Sequence, residues 1–164
     1  MSDIGPPPGA VHELAEQAVD FVRKAVGIAL DYTSETLPIV DHYLRAVPEG
    51  RTEIVGLVAT AVGAYFGEVV RRQLGGLWDA DADDPRRWTL TVGPGLRFSP
   101  VGVTAEAIAR ADSDDGAFEV PEDDRAAVEA ALDEEVSEEE YYSLSGRLDA
   151  FERIADVLAA RRQP

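Results

Sequence analysis

The groups in this chain that could carry chemistry are few. Its side chains that exchange protons near neutral pH are two histidines, His12 and His42, and there are no cysteines. The missing thiols exclude a disulfide framework, thiolate zinc sites and cysteine nucleophiles. His12 and His42 fall on different helical segments. His42 also directly follows Asp41, so on a helix those two side chains point to different sides. Lys24 is the single lysine and lies within the first helical segment, which leaves a serine–lysine arrangement without a local basis. Neither a G-x-S-x-G elbow nor a glycine-rich phosphate loop occurs. No catalytic residue, cofactor site or nucleotide site is expected.

Carboxylates are the abundant reactive group. Asp79-Ala80-Asp81-Ala82-Asp83-Asp84 begins like a calcium loop, with oxygens at its first, third and fifth positions. The sixth position needs glycine and holds Asp84; the twelfth needs a bidentate glutamate and holds Leu90. Asp79, Asp81 and Asp83 are thus the candidate metal ligands, for a weak, water-rich cation. They are also the candidate centre of a carboxylate-metal hydrolase, set against the ordinary reading of a solvated turn. Asp112-Ser113-Asp114-Asp115-Gly116 matches a metal loop no better.

The formal charge of −17 is unevenly spread. Asp112 to Glu140 carries fourteen acids against one base, Arg125. Binding to nucleic acid or to an anionic membrane needs clustered Lys and Arg, so neither is an expected partner. An acidic run of this kind is ordinarily a solvated face that keeps a protein soluble. The functional alternative is a surface complementary to a basic protein. The bias to arginine over lysine, with abundant Ala, Gly, Val and Asp, fits the coding bias of a GC-rich bacterial genome.

These groups must be positioned by a largely helical chain. Of 164 residues, 45% are hydrophobic, enough for one domain with its own core. Residues 1–9, rich in Pro and Gly, read as a flexible arm without the features of a secretory leader. Apolar residues at three-four spacing, from Val11 to Ala29, predict a helix over 10–32. Thr33 or Ser34 is the expected cap of a second helix over 34–46, with Pro38 in or beside its first turn. Pro48-Glu49-Gly50 then turns the chain into a third helix, 51–74.

That third helix is apolar nearly all round from Ile54 to Phe66. The stretch has thirteen residues, short of the ~20 that span a bilayer, so a buried central helix in a cytoplasmic protein is the expectation. Gly56, Gly63 and Gly67 lie close to one face and predict a tight helix crossing. Glu68 and Arg72 are spaced for an i,i+4 ion pair. Gly75-Gly76 ends the helix, and Trp78 follows.

A small antiparallel sheet of two or three strands is expected over 77–98, where Trp88, Leu90 and Val92 alternate with polar residues. Helices over 100–111, 121–136 and 137–162 complete the pattern. The last starts at a capping box, Ser137 to Glu140. Its stripe of Tyr141, Leu144, Leu148, Phe151, Ala155 and Leu158 packs within the domain or, alternatively, forms a dimer seam. The expected architecture is α+β, a bundle of five or six helices with a small sheet, monomeric or homodimeric.

The run G-A-Y-F-G-E-V-V-R-R-x-x-G-G-x-W, Gly63 to Trp78, follows Leu30, Asp31, Tyr32, Thr33, Glu35, Leu37 and Asp41. It precedes Leu96-Arg97-Phe98-Ser99-Pro100. Together these pieces, over residues 28–102, resemble a loose group of uncharacterised bacterial proteins that pair two or three helices with a short β-hairpin. The resemblance implies a common fold and transfers no catalytic residue. Some small proteins of that kind sit near toxin genes, which adds an immunity-type inhibitor of a basic toxin as an alternative. The leading expectation is a non-enzymatic protein-binding module engaging a basic protein through residues 112–140.

Overall fold

A computed structural model of the chain describes residues 5–48, 50–133 and 135–163. Among them are seven α-helices and one three-stranded antiparallel sheet, the α+β architecture expected. The first helix, α1 (Gly9–Val26), buries Val11, Ala15, Ala18 and Val22 along one stripe. It stops six residues before the expected end because Gly27, at φ +80°, takes the left-handed conformation that closes a helix. Ile28, expected on the apolar stripe, is 41% exposed. Residues 1–4 of the expected arm lie outside the described residues. The Gly5 carbonyl accepts from Arg71 Nη1 at 3.2 Å, and Gly9 already opens α1.

A 3-10 turn, Ser34–Thr36, leads into α2 (Leu37–Arg45), with Pro38 in its first turn as expected. Neither Thr33 nor Ser34 caps with its side chain. The Thr33 hydroxyl donates instead to Asp31 at 2.6 Å. A tyrosine does the organising here: the Tyr65 hydroxyl accepts from Tyr32 N–H at 2.9 Å and lies 2.6 Å from Thr36 Oγ1. Burial pushes the Tyr65 phenol above its usual pKa.

Helix α3 (Thr52–Leu74) is the central element, with thirteen buried residues from Val58 to Arg71. By length and composition it could cross a membrane, with a mean hydropathy of 1.5 over its most apolar stretch, but 67% of that stretch is buried against the rest of the protein. Strands β1 (Leu77–Asp79), β2 (Thr89–Val92) and β3 (Leu96–Phe98) follow in the order β1-β2-β3. Trp78 pairs with Leu90, and Leu90 with Phe98. Phe98 stacks on Phe151 at 4.2 Å between centroids, and both rings meet Phe66, so sheet, central helix and last helix share one aromatic cluster.

Ser99 caps α4 (Pro100–Ala109), its hydroxyl accepting from Gly102 N–H at 3.0 Å. The helix expected over 121–136 is shorter: a 3-10 turn, Glu122–Asp124, runs into α5 (Arg125–Ala131). Asp133, Glu134 and Glu135 follow it in sequence, and acids oppose the negative end of a helix dipole. The last expected helix divides into α6 (Glu138–Tyr141) and α7 (Leu144–Ala160). Ser137 caps α6, accepting from Glu140 N–H at 3.1 Å, as the capping box predicts. A second cap, Ser143, then accepts from Gly146 N–H at 2.9 Å. Asp41 fixes the break from across the fold, accepting from Leu144 N–H at 2.6 Å and from the Ser145 hydroxyl at 2.7 Å. Tyr141 thereby leaves the stripe and is 43% exposed, whereas Leu144, Leu148, Phe151 and Leu158 are buried within the chain.

Candidate binding site

Two buried charged clusters stand out, and they differ in how completely they are satisfied. The first is the junction of α3 with β1. Glu68 is 1% exposed. Its Oε2 accepts from Arg71 Nε at 2.6 Å and from Trp78 Nε1 at 2.8 Å, and its Oε1 accepts from Arg71 Nη2 at 2.9 Å. Glu68 in turn holds the Arg71 guanidinium more firmly protonated than usual. The expected Glu68–Arg72 pair is therefore corrected to Glu68–Arg71. Arg72 lies over the Tyr32 ring, 4.1 Å from its centroid. Withdrawing both charges from water is costly, and the bidentate fork together with the indole N–H supplies the geometry and hydrogen bonds that offset it.

The glycines explain why the junction closes. A Cβ on Gly67 would sit 2.3 Å from the Trp78 ring, and one on Gly63 would sit 2.6 Å from Val101 Cα. Those two glycines make the expected tight crossing, with α4 as the partner at Gly63. Gly56 faces open space and takes no part. Gly75, at φ +78°, ends α3, and Gly76 passes close beneath Thr91 and Leu90 of β2. Both oxygens of Glu68 are occupied, so this buried cluster holds the fold.

The carboxylates expected as metal ligands do not converge. Asp79, Asp81 and Asp83 are exposed around the turn after β1. Asp79 Oδ1 accepts from Asp81 N–H at 3.3 Å, and Asp84 caps the 3-10 turn Pro85–Arg87 by accepting from Arg86 N–H at 3.0 Å. Among the described residues, no three His, Cys, Asp or Glu side chains form a group that could hold a metal ion. His12 and His42 are exposed on α1 and α2.

The second cluster lies beneath the acidic segment. Residues from Asp112 to Glu140, with α7, enclose a cavity of about 390 Å³. Phe118, Leu132, Val136 and Phe151 supply apolar wall, and Asp112, Glu140 and Asp149 are exposed around it. Glu106, from the last turn of α4, and Arg147, from the first turns of α7, line its buried side at 4% and 8% exposure. Arg147 Nη1 is 3.6 Å from Glu106 Oε1, a loose ion pair. Arg147 Nε donates to the Tyr141 carbonyl at 2.8 Å, and its guanidinium lies over the Tyr141 ring at 4.6 Å.

Glu106 Oε2 accepts from Ser113 N–H at 3.0 Å. Among the described residues, Glu106 Oε1 and Arg147 Nη2 are buried without a hydrogen-bond partner. Burial raises the Glu106 pKa above its usual range, opposed by the Ser113 N–H and by Arg147. Gly116 leaves the space the Glu106 carboxylate fills, since a Cβ there would overlap it. The 112–117 loop is thus folded down onto a buried charge.

Sequence reasoning missed Glu106 and Arg147. A signal existed: Glu106 is the one charged residue in the otherwise apolar Pro100–Ala109 helix, and Arg147 falls between Leu144 and Leu148 on an apolar stripe. A charge set among such residues demands a buried partner. Asp41, which the sequence marks as a neighbour of His42 and as part of the 28–102 resemblance, caps α7.

The acidic segment itself is solvated. Of its fourteen acids, Glu134 lies outside the described residues and Asp124 is buried, while the other twelve are exposed. Asp124 receives Arg161 Nε at 2.6 Å and Arg162 Nη2 at 2.7 Å, so Arg162 and then Arg161 lower its pKa. Glu122 lies 3.6 Å from Arg125, and Glu139 lies 3.4 Å from Arg45. No family model, curated protein or solved structure matches the chain.

Proposed function

We infer that this chain is a non-enzymatic protein-binding module whose acidic 112–140 segment docks a basic partner. The carrying observation is the concentration of twelve exposed carboxylates on one segment, two of which, Asp112 and Glu140, line a largely apolar cavity. Such a face raises the encounter rate with a positive surface and discriminates against negative ones. Nucleic acid and anionic membranes fall on the disfavoured side of that selection. An immunity-type inhibitor of a basic toxin is a specific form of the same reading. The carboxylate-metal hydrolase gains no support from the geometry, because Asp79, Asp81 and Asp83 point along an exposed turn rather than to one centre.

The test is affinity capture from the native host at about 0.15 M salt. It compares the unmodified chain with one carrying Glu138→Gln, Glu139→Gln and Glu140→Gln. A basic protein retained by the first and lost from the second is the expected result. Capture of the same proteins by both chains, or of none by either, overturns the reading. Calcium, magnesium and manganese are expected to leave the melting temperature unchanged in a thermal-shift assay, and stabilisation by any of them would revive the hydrolase.

A further inference from the structure

The acidic segment does not lie flat on the helices; it wraps the 390 Å³ cavity between the end of α4 and the face of α7. A volume of that size is in the range of about 300–1,000 Å³ typical of ligand pockets. Its wall is mixed in a particular order. Phe118, Leu132 and Phe151 make most of the interior apolar, with Glu106 and Arg147 on its buried side, and Val136 at its edge remains 42% exposed. The surrounding carboxylates of Asp112, Glu140 and Asp149 are exposed. Of the lining bases, Arg147 is turned to Glu106 and the Tyr141 carbonyl, and Arg153 is engaged within the chain.

From this arrangement we propose that the cavity is the anchor point of the docking face. It receives one bulky apolar side chain from a basic segment of a partner protein, whose flanking Arg or Lys residues meet Asp112, Glu140 and Asp149. The proposal rests on the reading of the 112–140 face as a docking surface. Charge decides the occupant. An anionic ligand would meet three carboxylates before any apolar wall. A second copy of this chain would bring an equally acidic face to it, and like charges at close range are repelled. A basic segment finds attraction at the mouth and apolar burial inside, the division of labour between polar rim and desolvated centre seen in protein interfaces. The Glu106–Arg147 pair takes a supporting part: through Ser113 and Tyr141 it ties the 112–117 loop and α6 to the wall of the cavity.

Two synthetic pentapeptides test this on the full chain, one with a central phenylalanine between pairs of arginines and one with serine in its place. Affinity is read by fluorescence anisotropy, and location by amide chemical shifts. The phenylalanine peptide is expected to bind about tenfold tighter or more, the scale set by burying one aromatic side chain, and to shift the amides of Gly116, Phe118 and Ala150. Ala150→Trp, which fills the cavity, is expected to bring the phenylalanine peptide down to the level of the serine peptide. If that variant does not fold, the peptide pair on the unmodified protein still decides. Equal affinities, with shifts confined to the exposed acids, overturn the anchor and leave the acidic docking face standing. Failure of both peptides to bind at low salt removes the docking face and the anchor together.

Discussion

Glu68 and its neighbours show how a residue pair at helical spacing can be outcompeted. Arg71 and Arg72 both lie within reach of Glu68 in sequence, yet the fork goes to Arg71 because Trp78 Nε1 and Arg71 share the buried side of α3. Removing the carboxylate charge breaks a buried, bidentate ion pair and weakens the hold on Arg71 Nε and Nη2, so Glu68→Gln should cost about 3–5 kcal/mol in urea unfolding. Arg72→Ala, which removes only a cation held over the Tyr32 ring, should cost about 0.5–1 kcal/mol. Comparable losses from the two variants would contradict this assignment. Glu106 gives a pH dependence of definite sign. Burial raises its pKa from an ordinary 4.5, so the folded state holds the proton to higher pH than the unfolded chain does. Stability is then lost as pH rises from about 4.5 through the raised value. Glu106→Gln lacks that component, so wild type should lose stability relative to the variant across this window in paired pH titrations of unfolding.

At the scale of elements, the glycines of α3 separate into two kinds that sequence spacing alone does not distinguish. Gly63 meets the backbone of Val101 where α4 crosses, whereas Gly56 faces open space. Gly63→Ala should therefore destabilise by about 1–3 kcal/mol through overpacking. Gly56→Ala should stabilise by about 0.5–1 kcal/mol by removing a mid-helix glycine. A gain from both substitutions would mean the helices do not cross at Gly63. The end of α7 is tied down by Asp124, whose pKa is lowered by Arg162 and Arg161. A lowered carboxylate contributes stability above its ordinary value of 3.8, and that contribution is lost as pH falls through the lower folded value. Asp124→Asn should accordingly speed amide exchange in residues 157–162, with little effect at the Ser143 end of the same helix.

For the whole molecule, the uneven charge is the governing term. A net −17 with most of the excess on one segment repels itself, and added salt screens that repulsion over about 10 Å at 0.1 M. The melting temperature should rise between about 0.01 and 0.3 M sodium chloride, and neutralising Glu138, Glu139 and Glu140 should flatten the rise. A melting temperature that falls with salt would show that attractive surface pairs such as Arg45–Glu139 outweigh the repulsion. The core resists this field through the shared cluster of Phe66, Phe98 and Phe151, which joins α3, the sheet and α7 into one unit.

The chain's own pattern determined the α+β architecture, the central buried helix, the sheet over 77–98, the Ser137 end and the location of the charge. Each of these depends on periodicity, caps or composition, which act over a few residues. Tertiary structure alone decided which arginine meets Glu68, which glycine is crowded, and where the last helix breaks. It also set the buried pair of Glu106 and Arg147 at the wall of the cavity. Those outcomes depend on partners distant in the chain: Trp78 for Glu68, Val101 for Gly63, Asp41 for Leu144, and the folded-down 112–117 loop for Glu106. The acidic segment is the clearest case of the two levels meeting. Its charge is legible residue by residue, but the apolar cavity it encloses exists only once α4 and α7 are packed beneath it.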